Sequence, residues 1–122
     1  MSPNESGFET VALRDLEAMS ADARDTLPFG VVGFGADTIV QVYSATEARM
    51  AGLDPAAVLG VPFFDAVGQC MNNFMVAQRF EDEPEIDEIV PYVLTLRMRP
   101  TRVRLRLLAS AGTPRRYILI AR

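Results

Sequence analysis

The sequence predicts one domain of the α+β class, built on a five-stranded antiparallel sheet with short helices on one side. Three observations carry this prediction. The chain of 122 residues is long enough for one hydrophobic core but not for two. Residues 44–60 alternate between short helical patterns and tight stops, and residues 101–107 alternate arginines with apolar residues at the period typical of strands. The predicted order is two strands, several helices and three strands.

The chain begins with a predicted helical cap at residues 1–26, followed by a core at residues 27–122. Apolar residues recur in the cap at helical spacing: Phe8, Val11 or Ala12, Leu16 and Met19. Ser20 can begin a second short turn. We expect the cap to cover one face of the core.

Two strands are predicted at residues 29–34 and 38–43, joined in a hairpin by a turn at residues 35–37. Ser44 and Glu47 then match the capping box, in which a serine at the N-cap is followed three residues later by a glutamate. In this interpretation the Glu47 carboxylate folds back onto the helix terminus and stays ionised.

Short helices are predicted to follow. Gly52 is expected to end the first helix, and Asp54 and Pro55 fit the N-cap and first position of the next, which Gly60 stops.

Asn72 or Asn73 can cap a later helix, and the acidic residues 81–88 after it are predicted to form a solvated loop. That helix is expected to contain Phe74, Met75, Ala77 and Phe80.

The last three strands are predicted at residues 89–98, 101–107 and 117–121. Pro91 indicates that the third strand of the sheet starts at an edge or a bend. In the fourth strand arginines alternate with apolar residues, so one face is expected to be basic and the other buried.

The basic face suggests nucleic-acid binding, because its arginines can follow phosphates. They are Arg97, Arg99, Arg102, Arg104 and Arg106. The net charge of −4 argues against nucleic-acid binding. The charges are also unevenly distributed: all 16 acids and four arginines lie at or before Glu88, and the other eight arginines follow it with no acid. The acidic and basic parts are expected to come together, and the basic face to meet solvent or a protein partner.

The composition excludes several other classes. With no histidine and one cysteine, the chain cannot form a Cys-His dyad, a multi-ligand zinc site, a histidine-ligated haem site or an intrachain disulfide. Its sequence contains no apolar run of about 18 residues and starts with a polar, acidic stretch. We therefore expect a cytoplasmic protein that does not enter a membrane.

Cys70 is the single thiol, and it lies just past the apolar run at residues 61–67. From the residues alone it can be a small buried side chain, a redox-sensitive thiol or a covalent attachment point. The sequence leaves these three roles open.

A series of motifs runs without a gap from residue 27 to residue 70. They are Leu27-Pro28-Phe29-Gly30, Gln41-Val42-Tyr43-Ser44-Ala45-Thr46-Glu47, Gly52-Leu53-Asp54-Pro55, Gly60-Val61-Pro62-Phe63-Phe64 and Cys70. The match resumes at Tyr92 and includes Met98 and residues 100–103. In this order and spacing the motifs resemble the photoactive yellow proteins, which implies a PAS fold.

The resemblance implies that Cys70 carries 4-hydroxycinnamic acid (p-coumaric acid) as a thioester. Tyr43 and a buried, protonated Glu47 are then the hydrogen-bond donors to its phenolate, which replaces the capping-box interpretation of Glu47. The remaining residues implied at the chromophore are Val32, Phe63, Val67, Gln69, Leu94, Leu96 and Met98. The chain departs from the family at Gln69, at Ala51 and at Leu53, where a proline, a threonine and an arginine are expected.

The function that the resemblance implies is blue-light reception, not catalysis. Trans–cis isomerisation, proton transfer from Glu47 and loosening of the cap would signal to an unidentified downstream protein. The alternative is a PAS-type module that senses another small ligand, or binds a protein partner, without this chromophore.

Overall fold

The computed structural model describes residues 7–95 and 99–122, and its sheet has five antiparallel strands. They are β1 (Gly30–Phe34), β2 (Val40–Tyr43), β3 (Ile86–Leu94), β4 (Thr101–Ser110) and β5 (Thr113–Ala121). The order across the sheet is β2-β1-β5-β4-β3. The predicted α+β class and order of elements are confirmed.

Two short helices, α1 (Leu13–Ala18) and α2 (Ala21–Asp25), lie in the N-terminal segment, and α1 packs on one face of the sheet. Ser20 caps α2 as expected, because its hydroxyl accepts a hydrogen bond from the Ala23 amide at 3.1 Å. Phe8 and Leu16 are fully buried against β1 and β5. The boundary between cap and core at residue 26 stays a prediction.

The other helices lie on the opposite face: α3 (Ala45–Ala51), α4 (Pro55–Val58) and α5 (Ala77–Asp82). A π-helical turn at Phe63–Val67 and a 3-10 turn at Gln69–Met71 connect α4 to α5. Four phenylalanine rings pack together beneath them, with Phe34 at the centre and Phe63, Phe64 and Phe80 around it.

The predicted end of α3 at Gly52 and the predicted start of α4 at Asp54 are confirmed. Gly52 ends α3 with φ of 73°, a left-handed conformation that glycine adopts without strain. The Asp54 carboxylate caps α4 by accepting from the Ala56 amide at 2.9 Å.

The predicted start of α5 is wrong. Asn73 does accept from the amides of Met75 and Val76, but this closes a turn, and the helix begins only at Ala77. Phe74 lies outside it with 79% of its surface exposed.

The predicted acidic loop at residues 81–88 is also wrong at both ends. Helix α5 continues to Asp82, and β3 already begins at Ile86 instead of residue 89. Strand β3 pairs with β4 along its whole length, from Ile86 opposite Ala109 onwards, so backbone pairing outweighs the polarity of the acidic residues. Its predicted end at residues 96–98 lies outside the described residues.

The expectation of an open basic face on β4 needs correction. Arg106 is 5% exposed and lies under the N-terminal segment, where its Nη1 donates to the carbonyls of Phe8 and Val11 at 2.9 and 2.6 Å. It also pairs with Asp87, and Arg104 pairs with Glu9. The acidic and basic parts of the chain meet here, as their charges predict.

No helix within residues 7–95 and 99–122 combines the length and the apolar character required to cross a membrane.

Candidate functional site

The site begins where β2 leads into α3, because this junction carries Tyr43 and Glu47. Ser44 anchors the junction to β1: its amide donates to the Val31 carbonyl, and its hydroxyl accepts from the amides of Val31 and Glu47. Since the Ser44 amide is already bonded to Val31, it does not donate to the Glu47 carboxylate. Only half of the predicted capping box therefore forms.

The Glu47 side chain instead lies over β1, and it is 2% exposed. Gly30 makes this possible, because a Cβ atom at that position would overlap the Glu47 carboxylate. The expectation of a buried Glu47 is thus supported by its position.

Arg122 is the residue that the sequence reasoning missed. Its Nη1 donates to Glu47 Oε1 at 2.6 Å and its Nη2 to Oε2 at 3.0 Å, a bidentate pair in which both partners are largely buried. Pairing of β1 with β5 sets Gly30 opposite Ile120, two residues before Arg122. The only signal that could have revealed Arg122 is the strand order.

The electrostatics of the site are those of a buried charge pair next to a phenol. Burial raises the pKa of Glu47, and the Arg122 guanidinium acts in the opposite direction. Burial also raises the pKa of Tyr43; the charge of Glu47 adds to this increase and Arg122 opposes it. The ionisation of Tyr43 therefore depends on the charge of Glu47.

Several predicted wall residues share one buried cluster with Tyr43. Val32, Phe63 and Leu94 belong to it, and Val67 packs against it while partly exposed. Leu96 and Met98, also predicted at the chromophore, lie outside the described residues.

Cys70 packs against the same cluster and is partly buried. Its carbonyl accepts from the Tyr92 hydroxyl at 2.5 Å and from Asn73 Nδ2 at 3.3 Å, and Asn73 also donates to Tyr92 at 2.7 Å. These three bonds hold the backbone of the thiol-bearing turn. The sequence offered no signal for this role of Asn73 and Tyr92.

The structure does not bring the Gln69 side chain to the cluster. Gln69 is exposed, and its Nε2 donates to the Asp65 carbonyl at 2.6 Å. Of the other two positions that depart from the family, Ala51 is buried and Leu53 is 38% exposed. The bond from Gln69 to the Asp65 carbonyl supports the turn before Cys70.

Comparison with solved structures defines the class of the protein. The PAS domain of an HTR-like protein from Haloarcula marismortui superposes with a TM-score of 0.63 at 16% identity, covering 88% of this chain and 97% of that one. At that identity the likeness shows the fold alone. The chain has the PAS fold.

No family model matches the chain, but relatives of higher identity are photoactive yellow proteins. The photoactive yellow protein domain of the sensor histidine kinase Ppr from Rhodospirillum centenum has a TM-score of 0.80 and 28% identity over 87% of this chain and 96% of that one. A photoactive yellow protein of Halochromatium salexigens is 27% identical over 110 residues, which cover 88% of this chain and 88% of that protein. One of Rhodothalassium salexigens is 24% identical over 115 residues, which cover 88% of this chain and 92% of that protein. These similarities fit a divergent member of the photoactive yellow protein family.

Proposed function

We propose that this PAS-type sensor domain is a blue-light receptor that carries 4-hydroxycinnamic acid as a thioester on Cys70. The observation that carries the proposal is the arrangement of the site: Tyr43 belongs to the apolar cluster on which Cys70 packs, and Glu47 is electrostatically coupled to Tyr43. The similarity to photoactive yellow proteins supports the same ligand.

The residues present fit such a group. Cys70 is partly exposed, so an activated acyl donor can reach its thiol, and the turn that bears it is held by Tyr92. Val32 and Phe63 supply apolar surface for an aromatic ring. When bound, 4-hydroxycinnamic acid supplies light absorption and a double bond that isomerises from trans to cis.

Tyr43 and Glu47 would donate hydrogen bonds to the phenol oxygen, and Glu47 would be the group that passes it a proton. A change in the charge of Glu47 is costly, because the carboxyl is buried and its desolvated charge must be balanced. Relief of that cost by a local structural change is the physical basis for a signal.

The N-terminal turn of α3 connects Glu47 to the cap. The Ala45 amide donates to the Asp25 carboxylate at 2.8 Å, and the Thr46 hydroxyl donates to the Leu27 carbonyl at 2.6 Å. Movement of α3 would therefore strain the end of α2 and loosen the cap. A loosened cap would change the surface offered to a downstream signalling protein; the Ppr domain belongs to a sensor histidine kinase, which is one such kind of protein.

The test is an absorption spectrum of the purified protein after incubation with activated 4-hydroxycinnamic acid. A protein-bound band that bleaches under light and recovers in the dark supports the proposal, and Cys70→Ala should abolish it. A spectrum of free chromophore alone from a folded protein would overturn it.

A second candidate is a PAS module that binds another small ligand or a protein partner. The exposed Leu53 favours it, because the arginine expected there by resemblance is missing. In that case partner or ligand binding persists in Cys70→Ala.

A further inference from the structure

We infer that a second cavity, separate from the candidate chromophore site, binds a small uncharged planar heterocycle whose edge carries both hydrogen-bond acceptors and donors, with guanine as the model. The cavity lies on the helix-bearing face of the sheet, where the end of β1, the first half of β5 and helix α5 meet. Its volume is about 250 Å³, slightly below the roughly 300–1,000 Å³ of sites for drug-sized ligands. It therefore suits a single ring system and not a large cofactor.

The cavity and the candidate chromophore site lie at opposite ends of β1. Phe34, the last residue of β1, pairs with Arg116 on β5. Gly30, the first residue, pairs with Ile120 and lies beside Glu47. At the rise of a strand these two ends are roughly 13 Å apart. Because paired residues of neighbouring strands share a face, Arg116 lies on the same face as Phe34.

Aromatic rings form the floor of the cavity. Phe34, Phe64 and Phe80 line it. The ring centroid of Phe34 lies 5.4 Å from that of Phe64 and 5.1 Å from that of Phe80, both in edge-to-face contact. Aromatic rings pack favourably against a further flat π-system. The floor therefore favours a flat aromatic ligand over a branched aliphatic one.

Arg116 supplies the positive charge of the cavity. The other buried or partly buried arginines of the described chain each donate a hydrogen bond: Arg24, Arg79, Arg104, Arg106, Arg115 and Arg122. Arg116 is also partly buried, yet no hydrogen bond or ion pair joins it to another residue within 7–95 and 99–122. A guanidinium presents its donors as a planar fork that fits two adjacent acceptors. The unpaired fork of Arg116 is the strongest reason to place a ligand here.

Two carboxylates line the cavity from the helical layer, Asp65 on the π-helical turn and Glu81 on α5. Neither forms a side-chain hydrogen bond or ion pair with another described residue. Ionised carboxylates only accept, so the ligand edge that faces them must carry donors. The excess of negative charge disfavours an anion, and a simple cation would leave the Arg116 fork unmatched. Guanine satisfies both sides, because its O6 and N7 accept side by side and its amino group donates.

Thr38 borders the cavity in a strained backbone conformation. Its φ is 69°, a left-handed value that β-branched residues avoid, and no other non-glycine residue of the described chain has a positive φ. Its amide donates to the Gly35 carbonyl at 3.0 Å, and its carbonyl accepts from the Phe63 amide at 2.9 Å. Strain of this kind clusters at functional sites, and glycine would adopt the same conformation without it. The threonine side chain adds a hydroxyl that can donate or accept at the cavity.

The test is an NMR titration of the nitrogen-15-labelled full chain, with guanosine as the probe. Saturable shifts should appear at the amides of Thr38, Asn72 and Phe80, which border the cavity. Adenosine should bind roughly 5- to 150-fold more weakly, the range for loss of one bidentate contact, because it lacks two adjacent acceptors on that edge.

Variants locate the site. Arg116→Gln should weaken guanosine binding by the same factor and remove the preference for guanosine over adenosine. Arg102→Gln, an exposed substitution with the same change of charge on β4, is the matched control and should leave binding unchanged. Ala77→Leu enlarges a side chain that lines the cavity without disfavouring α5, because leucine is a strong helix former, and it should abolish binding.

The inference is overturned if guanosine gives no saturable shift up to about 1 mM. Equal binding of guanosine and adenosine would overturn it too, as would unchanged guanosine binding in a folded Arg116→Gln or Ala77→Leu variant. Shifts confined to the amides around Glu47 and Cys70 would place the ligand in the candidate chromophore site and would also overturn it. The titration needs no chromophore on Cys70, so its outcome is independent of the proposed function.

Discussion

Replacing Arg106 with methionine should release the cap while the sheet stays folded. Arg106 lies on β4 beneath the N-terminal segment and donates to two carbonyls of that segment, those of Phe8 and Val11. Its Nε and Nη2 donate to Asp87 at 2.9 and 3.1 Å. Methionine retains the apolar stem that packs under the cap but removes all of these donors.

The expected loss follows from the partners. A hydrogen bond from a charged donor contributes about 1.5–3 kcal/mol. The carbonyls of Phe8 and Val11 bond to water once the cap opens, which limits the loss. The Asp87 side chain is largely exposed, so its ion pair with Arg106 contributes at most about 1 kcal/mol. We expect the cap to be weakened by about 3 kcal/mol, which is roughly a 100-fold larger opened population.

Hydrogen exchange resolved by residue measures this opening. Amides of α1 should exchange roughly 100-fold faster in Arg106→Met, while amides in β1 and β5 keep most of their protection. Arg102→Met, an exposed change on the same strand, is the control and should leave α1 unaffected. Unchanged exchange in α1, or an equal rise throughout the sheet, would refute the reasoning.

Two further predictions concern buried groups. Gly30→Ala should lower the free energy of unfolding by about 1–3 kcal/mol, because its Cβ would overlap the Glu47 carboxylate; urea unfolding measures this, and Gly112→Ala, whose Cβ would meet no atom within 4 Å, should change little. Burial, with the hydrogen bond to Glu17 at 2.6 Å, raises the pKa of Tyr117 from about 10 in the unfolded chain to about 12. Its stabilising contribution is therefore complete below about pH 10 and is lost as the pH rises to about 12; an alkaline unfolding profile should show this loss, and an identical profile in Tyr117→Phe would contradict the assignment.

Local signals account for the parts of the fold that the sequence predicted well. Helix caps act within three residues, so Ser20, Ser44 and Asp54 mark helix starts wherever the rest of the chain goes. The alternation of arginines and apolar residues at positions 102–107 of β4 likewise depends only on neighbouring residues.

The sequence predictions fail where a residue distant in the chain determines the local structure. Strand β3 starts inside the acidic run because β4 offers it hydrogen bonds there, and Arg106 is buried because the cap covers it. Charge alone predicts that the acidic and basic parts meet, but not which side chains pair.

The candidate site divides in the same way. The sequence by itself determined that Tyr43 and Glu47 lie together, since they are four residues apart, one at a strand end and the other in the first turn of the next helix. It also singled out Cys70 as the only thiol. Only the tertiary structure decided that Gly30 makes room for the Glu47 side chain and that Arg122 pairs with it. The physical reason is that β5 lies beside β1, an order across the sheet that brings residues far apart in the chain into contact and that no local pattern encodes.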